Sequence, residues 1–199
     1  MIQERRASAL PGFFMMFLLI IVLLLSVAGL VRAADSGQTL VVVGSVLVLV
    51  AASISFAGLT VVNPNQSQVV QLFGAYTGTL KEQGFWWVNP FSSRRKVSLR
   101  IRNFESAKLK VNDHDGNPIE IGAIVVWRVF ETAVAIFHVD NYENFVTVQT
   151  EAALRNLASS YAYDSHVEGA YSLRSHIVEV AAQLKIEVQE RLTKAGVEV

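Results

Sequence analysis

The sequence has no cysteine, which excludes disulfides, thiolate metal sites and cysteine nucleophiles. It has no excess of charge: 17 basic residues balance 17 acidic ones, so no global field draws in nucleic acid or an acidic partner. It has no glycine-rich phosphate loop, no nucleophile elbow and no His-Glu-x-x-His pair, and no cofactor is expected. It has no internal repeat. What it does have is two long uncharged apolar runs, Phe13 to Val31 and Thr39 to Val62, separated only by Arg32 to Gln38.

A helix of roughly 20 apolar residues crosses the ~30 Å hydrocarbon core, so each run is long enough to span. A link that short makes the two spans antiparallel. The chain then enters and leaves the membrane on one side. The first run, with Arg5 and Arg6 before it and Val31-Arg32-Ala33 after it, has the outline of a signal peptide. Its 19 uninterrupted apolar residues exceed the usual ~7–15 of a signal core, so a retained span is expected. Two arginines precede the hairpin, one lies in its link, and no Lys or Arg follows Val62 until Lys81. That bias favours a cytoplasmic N-terminus and a cytoplasmic domain, in a bacterial inner membrane. The organisation expected is a tail over 1–12, a hairpin over 13–62 and one domain over 63–199.

Beyond Pro64 the pattern changes. Gln66 to Phe73 reads as a Val-rich strand, Gly74 to Gly78 as a turn, and Phe85 to Val88 as a short aromatic strand closed by Asn89-Pro90. Lys96 to Arg102 alternates, with Val97, Leu99 and Ile101 on one face. Ala107 to Val111 predicts another strand, and Asn112 to Pro118 a turn. Ile119 to Val129 predicts the longest strand, with Val125 and Trp127 on its inner face. A helical period then takes over: Glu131 to Phe137, a helix capped at Asp140 or Asn141 with Phe145, Val148 and Ala152 in its stripe, and a last helix capped at Ser172. Leu173, Ile177, Val180, Leu184, Val188 and Leu192 form the stripe of that last helix. Gly196 to Val199 reads as the start of a further strand. Strands first and helices after make an α+β domain behind a transmembrane hairpin.

Few residues point to chemistry. Asp113, His114 and Asp115 are ligand types, but a turn containing Gly and Pro explains their spacing without metal. His138, His166 and His176 have no ligand spacing. Asp164-Ser165-His166 has the letters of a triad, yet neighbours in sequence do not converge on one reacting atom. Arg94-Arg95-Lys96 with Arg100 and Arg102 reads first as the wet face of a strand. A second reading has them beside an anionic leaflet, with ~1 kcal/mol for each charge near the surface. Phe85, Trp86 and Trp87 are candidates for membrane contact, because indole rings favour the interface. The bland reading puts one tryptophan in the core and one on the surface.

The residues also form a familiar series. Asn63-Pro64-Asn65-Gln66-Ser67-Gln68-Val69-Val70 follows the anchor, then Phe73-Gly74-Ala75-Tyr76-Thr77-Gly78. Gly84-Phe85-Trp86-Trp87-Val88-Asn89-Pro90-Phe91 comes next, then Asp115-Gly116-Asn117-Pro118-Ile119, Val125-Val126-Trp127-Arg128-Val129, Ala152-Ala153-Leu154-Arg155 and Ala195-Gly196-Val197-Glu198-Val199. In this order they resemble the SPFH, or Band 7, family of stomatins, prohibitins and flotillins. The resemblance covers Val62 to Val199. It implies a non-catalytic scaffold on the lipid bilayer, forming homo- or hetero-oligomers with other SPFH proteins. It also implies the organisation of microdomains or the regulation of a membrane protease or transporter client. Candidates for lateral contacts are Arg128, Glu131 and Arg155, charged residues set among apolar ones. Family members continue past Gly-Val-Glu-Val with a strand, a helix and a charged coiled coil, so the sequence reads as ending inside the domain.

Overall fold

The computed structural model describes residues 3–164 and 172–199. Ser165 and His166, two thirds of the triad-like letters, lie outside the described residues. The described chain forms two compact units, one of residues 5–98 and one of residues 3–4 with 99–199.

In the first unit a short strand β1 (Leu10–Pro11) leads into helix α1 (Gly12–Ser36), which is followed by helix α2 (Thr39–Phe56). Both helices are long and apolar enough to cross a membrane. The expected link shrinks to Gly37-Gln38, because the helix runs on through Arg32 and Asp35. Gly37 ends it in the left-handed conformation (φ 66°) and donates its N–H to the Ala33 carbonyl, a stop that costs glycine no Cβ clash. The helices run back along each other, and a Cβ on Gly29 would meet Ser45 Oγ at 3.1 Å. Their outer faces are bare: Phe13, Phe17, Leu25 and Leu47 are all about two-thirds exposed or more.

The second apolar run does not stay helical to Val62. It ends at Phe56, and Leu59–Val62 is strand β2. Hydropathy alone reads a buried strand and a helix end alike; the break is Ala57-Gly58. Strands β3 (Gln66–Leu72), β4 (Ala75–Leu80), β5 (Gly84–Trp87) and β6 (Ser92–Ser98) follow. The expected turn at Gly74 to Gly78 is instead the two-residue connection Phe73-Gly74, and Gly78 lies within β4. Two antiparallel sheets result, ordered β1-β5-β2 and β4-β3-β6. The alternation expected through Arg102 stops at Ser98, which pairs with Gln66 at the very start of β3. Beyond it β3 offers no further rung, and Ile101, expected inward, is 66% exposed.

The N-terminal tail is no tail. Ala7 donates to the Thr79 carbonyl (3.0 Å), and Thr79 donates to that of Arg5 (2.8 Å). Leu10 and Pro11 pair with Trp87 and Trp86. Ala7 is buried with Val62, Val70, Leu80 and Val88 in one core cluster. Residues on both sides of the hairpin therefore build one folded body. Removing the first run after Ala33 would take this strand and core residue with it.

In the second unit the expected long strand Ile119–Val129 breaks at Gly122-Ala123. Strand β7 (Arg102–Glu105) comes first, and β8 (Leu109–Asn112) and β9 (Pro118–Ile121) form a hairpin. Strand β10 (Ile124–Val129) pairs with β7. Val125, Trp127 and Val129 keep the inward alternation. Helices α3 (Thr132–Phe137), α4 (Tyr142–Ser160) and α5 (Ile177–Leu192) follow. Asn141 caps α4 by accepting from the Asn144 N–H at 3.0 Å. The buried stripe of α4 is displaced from the expected one: Val146, Thr150, Ala153, Leu154, Leu157 and Ala158 face inward, while Val148 is half exposed. Two stripes overlap on this helix, and the one carrying Leu154 and Leu157 buries more apolar volume. The N-cap of α5 is His176, not Ser172, whose Oγ accepts from the Ser175 N–H at 3.2 Å. Of the α5 stripe only Val188 and Leu192 are buried; Leu173, Val180 and Leu184 line an apolar cavity of about 560 Å³ with Leu154 and Leu157. A two-residue strand β11 (Val197–Glu198) pairs with β10, as the Gly-Val-Glu-Val segment predicts.

Candidate membrane-interface site

The aromatic strand β5 lies at the foot of the helical hairpin. Successive strand residues point to opposite faces, and this divides the three aromatic candidates. The Phe85 ring meets Phe13 edge-on at 5.1 Å, just inside the start of α1. Trp87 Nε1 donates to the Ser55 carbonyl in the last turn of α2 at 2.8 Å. These two side chains face the helix ends. Trp86 faces the other way, packs on the Ala7–Val62–Val70–Leu80–Val88 cluster, and donates through Nε1 to the Glu82 carbonyl at 3.1 Å. Trp86 is thus partly buried against the core cluster, and Phe85 and Trp87 lie on the hairpin side.

Register shows what shares their face. Leu10 and Leu59 lie directly opposite Trp87 on either side, and Val61 lies opposite Phe85. Leu10 and Val61 are about half exposed. The hairpin side of this sheet is therefore an apolar row of Leu10, Trp87, Leu59, Phe85 and Val61, joined to the ends of both helices. None of Leu10, Leu59 or Val61 stood out in the sequence, because the partner strand that aligns them is distant in the chain.

The end of α2 is held by Arg94. Its guanidinium donates to the carbonyls of Ala57 (2.5 Å) and Leu59 (3.2 Å). A cation here satisfies carbonyls where the chain passes from α2 into β2 and opposes the negative end of the helix dipole. Of the basic residues Arg95, Lys96 and Arg100 are exposed, while Arg94 and Arg102 are half-buried. Gln68, 1% exposed, ties the two sheets together: it accepts from Thr60 Oγ1 at 2.9 Å and donates to the Val61 carbonyl at 2.8 Å. The arginines before the first span are also engaged. Arg6 pairs with Glu82 at 2.7 Å, and Arg5 stacks over the Tyr76 ring and donates to the Tyr76 carbonyl.

The lateral-contact candidates are not brought together. Arg128 forms an ion pair with Glu198 across β10 and β11 at 2.7 Å, within the chain. Glu131 sits at the N-cap of α3 with its backbone N–H donated to the Gly196 carbonyl at 3.0 Å. Arg155 is exposed on α4, and no ion pair reaches it among the described residues. A pair that sequence reasoning missed joins Arg102 to Glu143, with the Arg102 guanidinium 5.5 Å from the Trp127 ring centroid. Asp113 does turn work. Its carboxylate accepts from the N–H groups of Tyr163, Asn117 and Asp115 and from the Asn117 side chain. The bond from Tyr163 leads in holding it below the usual carboxylate range, against the opposing effect of burial.

The model of the "SPFH domain / Band 7 family" matches residues 60–199. An uncharacterized protein of Methanothermobacter thermautotrophicus is 22% identical over 136 residues, covering 68% of this chain and 42% of that protein. The "Band 7 protein CG42540" of Drosophila melanogaster is 22% identical over 171 residues, covering 84% of this chain and 32% of that protein. The chain thus spans less than half the length of either relative. With a family match that begins in β2 and runs through every later strand and helix, the chain belongs to the SPFH domain / Band 7 family.

Proposed function

We propose that this chain is a non-catalytic, membrane-anchored scaffold that oligomerises on the bilayer and organises membrane proteins around it. The observation that carries the reading is the rooting of the hairpin. Both helix ends are fixed to the strands below them: Phe13–Phe85 and Trp87–Ser55 tie them to β5, and Arg94–Ala57 ties the end of α2 to β6 of the second sheet. An anchor built this way holds the sheets of residues 59–98 at a set height against the bilayer rather than on a loose tether. Copies confined to one plane at one height meet in a restricted set of orientations, so weak lateral contacts suffice for assembly. Exposed Arg155 and Glu131 are candidates for such contacts; Arg128 is a weaker one, because Glu198 already neutralises it. Phe85 and Trp87 belong at the membrane interface, with the domain on the cytoplasmic side of a bacterial inner membrane.

In mild detergent, mass measurement is expected to give a particle several times heavier than one chain. A strict monomer at high concentration would sink the scaffold reading. Crosslinking to another membrane protein at one-to-one stoichiometry, without self-crosslinks, would instead support a regulatory subunit of a protease or transporter. Reporters placed after Val199 and at Gly37 are expected on opposite sides, the first in the cytoplasm.

A further inference from the structure

Two exposed phenylalanines stand beside the exit of α2, and neither belongs to the apolar row of the β1-β5-β2 sheet. Leu72 pairs with Ala75, so Phe73-Gly74 is the whole β3–β4 connection, and both residues have positive φ (48° and 86°). Tight turns of this kind favour Asn-Gly, Asp-Gly or Gly-Gly. A bulky aromatic in the left-handed region is strained, and this one is also 87% exposed. The turn thus breaks a local backbone rule and a burial rule with one side chain, and such double departures concentrate at functional positions.

Phe91 is its neighbour. Leu72 lies opposite Ser92 in the β3–β6 ladder, so Phe73 and Phe91 are the next residues outward on adjoining strands. Phe91 is 62% exposed, and its N–H is held by Asn89 Oδ1 at 3.0 Å. Height is set by the chain itself. Val88, three residues before Phe91, donates to the Gly58 carbonyl at 2.9 Å, just past the last turn of α2. Three residues of chain reach at most ~11 Å. Arg94, three residues after Phe91, grips Ala57 and Leu59.

We propose that Phe73 and Phe91 form an aromatic wedge that enters the interfacial zone of the bilayer next to α2. The proposal rests on the reading of the hairpin as a membrane anchor and adds a second foothold beside it. The bilayer is the occupant for two reasons. The two rings stand at the end of β3 and the start of β6, the end of the β4-β3-β6 sheet that Arg94 ties to Ala57 at the exit of α2. And α2, with 18 residues, is only ~27 Å long against a core of ~30 Å, which draws its flanking residues into the interface.

The absence of cysteine makes the test clean. Phe73→Cys and Phe91→Cys, each as a single substitution in the full chain, are labelled with nitrobenzoxadiazole. The protein is then reconstituted in phosphatidylcholine–phosphatidylglycerol vesicles carrying nitroxide lipids at the headgroup or deep in the acyl chain. Leu47→Cys reports on the anchor itself, and Asn65→Cys on the opposite end of β3. Labels at 73 and 91 are expected to be quenched several-fold more by the headgroup nitroxide than the label at 65. Phe73→Gly suits the backbone of the turn, so in that background a weaker quench at 91 reports loss of the wedge rather than misfolding. If position 47 is quenched from the acyl region while 73 and 91 respond only to a water-soluble quencher, the wedge is refuted and the anchor stands. If position 47 is not quenched, the anchor reading falls and takes the wedge with it. Disulfide-linked copies of the Phe73→Cys or Phe91→Cys variant, without lipid quenching, would overturn the proposal in favour of a contact between chains.

Discussion

Gly78→Val is expected to strip the N-terminal segment from its sheet and to destabilise the unit that carries the hairpin by about 3–5 kcal/mol. A Cβ at position 78 would stand 2.5 Å from Ala7 Cα and 2.6 Å from Ala7 N. Those are backbone atoms, so no side-chain rotation relieves the contact, and φ at this position (155°) disfavours a branched residue as well. The segment must move away. It then loses the two hydrogen bonds that link Arg5 and Ala7 to Thr79, roughly 1 kcal/mol each. It also uncovers Ala7 and the apolar side chains beneath it, roughly 1–2 kcal/mol more. Trypsin in mild detergent reads the result. The bonds after Arg5 and Arg6 are expected to resist cleavage in the parent chain and to be cut quickly in the variant, with a lowered unfolding temperature. Equal resistance in both would show that the segment contributes nothing to the fold.

Arg94→Ala is the second large effect, expected at roughly 2–4 kcal/mol. A charged donor to backbone carbonyls contributes ~1.5–3 kcal/mol, and its place at a helix C-terminus adds ~0.3–1. The loss leaves carbonyls of Ala57 and Leu59 without their donor where α2 turns into β2. Arg94→Lys is not expected to rescue, because a single ammonium lacks the planar fork that serves two carbonyls at once. Amide exchange gives the sharper readout. The Val88 N–H, bonded to the Gly58 carbonyl, should exchange faster in Arg94→Ala while the α4 amides stay protected. Unchanged exchange at Val88 would assign Arg94 to the solvated face of its strand, as the sequence first suggests.

Much of this fold is legible in the sequence because its signals are local. Nineteen apolar residues in a row, a turn rich in Asp, Asn and Gly, and a capping Asn141 each carry their meaning within a few positions. The largest failures are of one kind. Leu59–Val62 continues an apolar run, so nothing nearby separates it from the helix before it; its partner β5 does. Arg5 to Leu10 has no strand-like pattern, and its pairing is made of backbone bonds to Thr79 and Trp87, far along the chain. The candidate site divides in the same way. The composition of Phe85-Trp86-Trp87 is visible, but which rings face the hairpin depends on strand parity and on Phe13 and Ser55. Arg94 looked like one member of a basic stretch, and only the position of the α2 terminus separates it from Arg95 and Lys96.

The pairing of the N-terminal segment with β4 and β5 also sets an order of events in synthesis. Arg5 and Ala7 leave the ribosome before their partner Thr79, which comes more than seventy residues later with both apolar helices in between. The first strand must therefore wait unpaired until β4 and β5 have been made. When β4 and β5 arrive, both sheets close at the feet of the helices. Once these strands pair, the two helices are held between segments that are closed on one another, so the finished fold acts as a latch on the hairpin.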